Sequence, residues 1–272
     1  MPQAEIRFLR EQQRRWATER ELDLDPADCT SKIDENLFGP LSPETRNDLE
    51  RGEPAQLEAD DKSGALQSLH SKAALVCNVF DYWRARGCDE LSQLLHFAPG
   101  CRELRFAEVV PTGLEGLSSQ VELLLTGDST RPTALVSSFS EPYSMIDSRR
   151  PPASTEAPGV WGELSDCRDL ALGLRANPRR FTSLQVTALL EQILGLTTRF
   201  GVRGFRLLYL WYEVEGHAAD RHRRELDRFR MRVGGEVDFM VSTWQGLFRD
   251  IQAASPGHAA YTQYLAARYF PG

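Results

Sequence analysis

The sequence predicts an α/β fold, a mixed β-sheet core flanked by α-helices, in one chain of 272 residues. Three observations carry this expectation. Gln120–Thr126 and Thr133–Ser140 are short runs rich in Val, Leu and Thr, bounded by Gly and Pro, and they read as a β-hairpin. Phe205–Val214 (FRLLYLWYEV) is almost continuously apolar, the pattern of a strand covered on both faces. Around these runs lie segments with apolar residues every three or four positions, the period of a helix packed on a core.

In chain order, Ala4 to Glu21 reads as a polar amphipathic helix with Ile6, Leu9 and Trp16 as core candidates. Leu22 to Asp61 is acidic and rich in Pro, Asp and Asn. It reads as an arm extended over the surface, anchored by Asn36–Leu41, and residues 1–62 are set apart on that ground from a domain at 63–272. Ser63 to Gly87 predicts the first strong helix, through Leu69, Ala73, Val76, Phe80 and Trp83, with Gly87 to stop it. A short helix over Asp89–Phe97 follows, then a strand over Arg102–Val109 and a turn over Pro111–Gly116.

After the hairpin, the four prolines of Ser148–Gly159 mark a loop. Glu163–Arg175 and Thr182–Phe200 are predicted helices, the second the most apolar of the chain, and Asn177-Pro178 separates them. The strand Phe205–Val214 leads to an Arg-rich helix at His217–Val233 and an edge strand at Glu236–Ser242. Helices at Trp244–Ile251 and His258–Phe270 follow.

Composition narrows the classes. The chain is 41% hydrophobic and 26% charged, and no run approaches the roughly 18 apolar residues of a membrane span. The charged start MPQAEIRFLREQQRRW has no apolar core of a secretory signal. Five scattered cysteines without a CxxC pair fit a reducing cytoplasm and argue against structural zinc. A net charge of −7 gives no bulk attraction for DNA, though a local basic groove is compatible with it. No HExxH, nucleophile elbow or phosphate-binding glycine motif is present.

The hairpin carries a resemblance. Pro111-Thr112-Gly113-Leu114, then Gln120-Val121-Glu122-Leu123-Leu124-Leu125, then Ala134-Leu135-Val136-Ser137-Ser138-Phe139-Ser140-Glu141-Pro142-Tyr143, resembles the metal-site hairpin of the PD-(D/E)XK nuclease superfamily, in particular a bacterial branch. Ser71 and Asn78 fit the branch's helix pattern, with Lys72 where the branch has serine. Leu189-Leu190 and Gly195-Leu196 fit a later helix. The resemblance covers about residues 30 to 270 and implies a restriction-endonuclease-like fold.

What the resemblance implies for chemistry is a Mg²⁺-dependent phosphodiesterase site. The family's Asp falls on Glu122, its Glu on Val136 and its Lys on Ser138; its helical Gln, Lys and His fall on Ala188, Glu191 and Gln192. Alternate residues of a strand share a face, so acid and lysine two apart would both meet the acid on the neighbouring strand. Mg²⁺ needs oxygen ligands and the lysine offsets charge on the phosphate. Valine supplies no ligand, serine supplies no cation, and no lysine follows position 72. Misplacing a group by about 1 Å already costs roughly 10²-fold.

The expectation is therefore a degenerate, catalytically silent site that binds nucleic acid or a protein through the cleft, with no cofactor. The alternative is an active Mg²⁺-dependent endonuclease built from relocated groups: Glu108, Glu122 and Glu141 with Lys72. Each of these has a plainer reading as a surface carboxylate or a solvated lysine. Arg149, Arg150, Arg179 and Arg180 are the candidate phosphate contacts. The arginines of 221–232 are interleaved with Asp220, Glu225 and Asp227 and read as an ion-paired helix face. The Tyr-rich terminal helix is the candidate surface for a homodimer.

Overall fold

In the computed structural model, residues 4–57, 64–88, 91, 100–127, 131–144, 149–157, 159–254 and 256–271 are described. Strands β1 (Glu103–Leu114), β2 (Leu117–Thr126), β3 (Thr133–Ser138), β4 (Arg206–Trp211) and β5 (Asp238–Thr243) lie in one sheet in that order. β1, β2 and β3 run antiparallel, as short connections allow, whereas β3, β4 and β5 run parallel. Parallel neighbours need long crossovers, and the chain supplies them. Helices α4 (Ser165–Ala176) and α5 (Val186–Phe200) lie between β3 and β4, and α6 (His217–Val233) between β4 and β5. The result is an α/β fold with a mixed sheet flanked by helices.

β4 buries Leu207, Leu208, Tyr209, Leu210 and Trp211 in succession, so both of its faces are covered. α5 lays Leu189, Leu190, Ile193, Leu194 and Leu196 into the core. It also comes unusually close to β1. A Cβ on Gly195 would sit 2.7 Å from the carbonyl oxygen of Val110, so only glycine fits this contact.

The N-terminal helix α1 (Ala4–Glu19) buries Ile6, Leu9 and Trp16 and is fastened to α8 (Ala259–Tyr269). The side-chain amides of Gln12 and Gln13 each donate to a carbonyl near the end of α8, to Tyr269 and to Arg268, both at 2.9 Å. Glu5 of α1 accepts the backbone N–H of Ala218 at 3.0 Å, capping α6 from a distance.

Several boundaries differ from the sequence reading. The arm over 22–61 contains a regular helix, α2 (Pro43–Gly52), started by Ser42, whose hydroxyl accepts from Thr45 N at 3.3 Å, with Pro at the first turn. The helix expected from Ser63 begins only at Lys72 (α3, Lys72–Arg84), because Ser71 caps it and accepts from Ala74 N at 3.1 Å. The turn expected at 111–116 is the far end of β1, irregular between Pro111 and Leu114, and β2 already starts at Leu117. β3 ends at Ser138, and Glu141–Tyr143 form a single 3-10 turn. The helix expected over 89–97 lies almost wholly outside the described residues. α7 (Trp244–Ala254) completes the fold.

Candidate functional site

The β2–β3 ladder is short. Its register pairs Leu123 with Leu135, Leu124 with Ala134 and Leu125 with Thr133. One step beyond, where Glu122 would oppose Val136, the strands are no longer paired. Here the side chain of Glu122 takes over a role the backbone has given up: its Oε2 accepts the N–H of Ser137 at 3.3 Å. Its other oxygen, Oε1, is bonded to the ammonium of Lys72. Lys72 reaches it from the first turn of α3, with its side chain 37% exposed against 14% for Glu122.

Glu141, in the turn after β3, folds back on its own strand. Its Oε2 accepts the N–H of Phe139 at 2.7 Å and lies 3.5 Å from the hydroxyl of Ser138. The fields of Glu122 first and Glu141 next hold the Lys72 ammonium above its ordinary range, against the opposing effect of burial. Lys72, Glu122, Ser138 and Glu141 are thus brought together.

A small cleft of about 70 Å³ opens beside them. Lys72, Val136, Ser138 and Glu141 line one side, Gln185, Ala188 and Gln192 of the α5 region another, and Tyr209 is among the remaining lining residues. Burial raises the pKa of the Tyr209 phenol, whose hydroxyl lies 3.3 Å from His222 Nε2. The amide of Gln192 donates to the carbonyl of Gln120 at 2.8 Å, which leaves Gln192 Oε1 buried without a partner.

Glu108 is not part of this cluster. It pairs opposite Val121, one residue out of phase with Glu122, and its carboxylate is held by Arg199, with Arg105 at 3.9 Å. Glu191, at the position where the resemblance would put a lysine, is buried and binds Arg149. Burial holds its carboxyl above the ordinary range against the pull of Arg149. Thr187 donates to the carbonyl of Arg149 at 2.6 Å, so the chain around this arginine is strapped along α5. Arg150, Arg179 and Arg180 are exposed, the last two in the turn leading to α5.

Several arginines of α6 are paired with acids. Arg223 meets Glu213 and Asp220, Arg230 meets Asp227 at 3.2 Å, and Arg232 meets Asp166 and Asp169 at 3.4 and 3.3 Å. Ser71 and Asn78 are structural. Asn78 accepts from Phe38 N at 2.6 Å and donates to Asn36 O at 3.2 Å and to the Tyr269 hydroxyl at 2.9 Å, tying the arm to α8.

Mg²⁺ does not suit this donor set. Both oxygens of Glu122 are occupied, the neighbouring ladder position is Val136, and an ammonium already neutralises the carboxylate. Among the described residues no group of three or more His, Cys, Asp or Glu side chains converges so as to hold a metal ion. Tyr209, Gln185 and Ser183 went unread as cleft residues in the sequence. The parallel register finds the first of them, setting Tyr209 beside Val136. Comparison with protein-family models, with curated proteins and with solved structures gives no significant match. No helix among the described residues is long and apolar enough to cross a membrane.

Proposed function

We propose that the chain is a PD-(D/E)XK-like protein with a restriction-endonuclease-like fold that binds without cleaving, its cleft serving as a contact site for a partner macromolecule. One observation carries this reading: the single acid left at the inherited position, Glu122, is saturated by Lys72 and by the Ser137 amide. Neither the metal contribution nor the charge-stabilising contribution to phosphodiester hydrolysis is then supplied.

The cleft charge bears on the partner. The lining bears one ammonium, Lys72, which is already bonded to Glu122, and one carboxylate, Glu141, so no spare positive charge is offered to a phosphate entering there. That favours a protein. A nucleic acid would have to be held outside the cleft by Arg149, Arg150, Arg179 and Arg180. Retention of labelled duplex or single-stranded DNA on a filter, lost on charge reversal at Arg150 and Arg179, would select the nucleic acid.

A second reading rests on the convergence of Lys72 and Glu141 on Glu122, which is the relocated set of an active Mg²⁺-dependent endonuclease without Glu108. Incubation with plasmid and single-stranded DNA in Mg²⁺ or Mn²⁺ separates the two. The binding reading expects no cleavage above background. Cleavage abolished by Glu122→Ala establishes the endonuclease instead.

A further inference from the structure

We infer that the outer edge of β5 is a homodimer interface: it pairs antiparallel with β5 of a second copy across a two-fold axis at Val241, joining two sheets edge to edge. This does not rest on the reading of the cleft. β5 ends the sheet, and no other strand among the described residues pairs with its outer side. β3 is buried at every position and β4 at every position after Arg206, whereas β5 is buried only at Phe239. Solvent reaches the strand from its open side.

The ladder fixes which groups face that side. In β4, Arg206 N–H donates to Pro132 O at 2.8 Å, and just past its end Tyr212 N–H donates to Ser138 O at 2.9 Å, so even-numbered residues bond toward β3. The odd-numbered ones bond toward β5, where a parallel pair meets them with Asp238, Met240 and Ser242. Phe239, Val241 and Thr243 therefore turn their N–H and C=O groups outward. Phe239 N–H is answered locally by Val237 O at 2.9 Å. Thr243 caps α7, its hydroxyl accepting Gly246 N–H at 3.0 Å, and the carbonyl of a cap residue opens the helix ladder. What remains is Val241 N–H and C=O, Phe239 C=O and Thr243 N–H.

That set is its own complement under a two-fold axis through Val241. Each Val241 exchanges both bonds with its copy, and each Thr243 N–H donates to Phe239 C=O across the junction. The one charged residue of β5, Asp238, is held by Arg131 at 2.9 Å and Arg206 at 3.2 Å, so no like charges meet. The other edge of the sheet is closed. Asp48 of α2 accepts Phe106 N–H at 3.1 Å, Gly52 packs on the Ala107 carbonyl without room for a Cβ, and Ala107 breaks the extended backbone at φ 47°. β5 keeps an unbroken register instead. The Tyr-rich terminal helix, the surface expected from sequence, turns Tyr261, Tyr264 and Tyr269 into the core.

The test is sedimentation equilibrium of the full chain from micromolar to millimolar concentration. The mass is expected to rise from 30.7 kDa toward twice that value. Val241→Pro removes the outward N–H of both copies and no bond of the internal ladder, and is expected to raise the dissociation constant about 30-fold. Val241→Lys and Val241→Glu each set like charges face to face. Each alone is expected to be monomeric, and an equimolar mixture to associate again. Circular dichroism reports whether each variant folds, and the mixture decides should the proline variant fail to. A wild-type chain that stays at 30.7 kDa to millimolar concentration overturns the inference. So does a dimer that Val241→Pro or Val241→Lys leaves unchanged, or folded Lys and Glu variants that do not associate on mixing.

Discussion

The ammonium of Lys72, at the first turn of α3, is bonded to the carboxylate of Glu122 on β2, beside the point where the β2–β3 ladder stops. This bond places a cation from one element against a carboxylate of another. In a metal-dependent site an ion would sit against that acid; here the chain supplies its own counter-charge. The pair is partly exposed, which limits its worth in water.

Lys72→Met is accordingly expected to lower stability at pH 7 by about 1 kcal/mol. The folded pKa of Lys72 is raised, so its stabilisation is fully present below its unfolded value and is lost as pH rises through the folded one. The difference between wild type and variant in urea midpoints should therefore be constant below about pH 10 and narrow above it.

Glu225 shows how a buried acid organises the approach to α5. Its oxygens accept from Thr182 N at 2.8 Å, Ser183 N at 2.9 Å and Leu184 N at 2.9 Å, and from both hydroxyls. Burial opposes its charge, but these donors outweigh burial and hold the carboxyl below its usual range. Glu225→Ala leaves three amides unsatisfied and should cost about 3 kcal/mol by urea unfolding at neutral pH. The contribution is present above the unfolded pKa and is lost as pH falls through the folded value.

His222 is fully buried on α6, with Tyr209, Ser183, Trp211 and Glu225 around it and Arg221 adjacent. Burial, only partly offset by Glu225, pushes its pKa down to about 4. A depressed histidine stabilises the fold above its unfolded value near 6.5 and loses that stabilisation as pH falls toward 4, up to about 3 kcal/mol. His222→Phe should flatten the stability profile between those two pH values, measured by thermal unfolding across the range. An unchanged slope would contradict the assignment.

Gly195 fixes the distance between α5 and β1. An added methyl meets Val110 O at 2.7 Å and Val110 Cγ2 at 2.8 Å, and a backbone carbonyl in a sheet cannot yield cheaply. Gly195→Ala should cost about 2 kcal/mol despite the better helix propensity of alanine. Because Ala188 and Gln192 sit on the same helix, the variant should also shift their amide resonances.

The sequence carried the hairpin, the parallel strand and most helices because period and punctuation are local properties. Phe205–Val214 was legible as a doubly covered strand since apolar side chains on both faces leave an unbroken run. His217–Val233 was legible to the residue because Ala218, Leu226, Phe229 and Val233 recur at helical spacing against a charged face. α2 was hidden by its own polarity. Its core contacts are Leu49, Thr45 and Asp48, and the last two read as surface until Arg84 and the Phe106 amide are seen to satisfy Asp48.

The start of α3 was hidden in another way. Apolar residues continue upstream of Ser71, and only the capping hydroxyl marks the true boundary. At the site, Glu122 and Ser138 came from the resemblance carried by the hairpin, and Glu141 from its place just past the second strand. That Lys72 meets Glu122 while Glu108 meets Arg199 depends on register and on helix placement, which no local pattern encodes.

The most direct measurement is a calorimetric titration of Mg²⁺ and Mn²⁺ into the wild-type chain, Lys72→Met and Glu122→Ala. If Lys72 stands in for the ion, the wild type gives no saturable heat up to millimolar metal, and Lys72→Met gains a weak site through the freed Glu122 and Glu141. A saturable site in the wild type that Glu122→Ala removes would contradict the account.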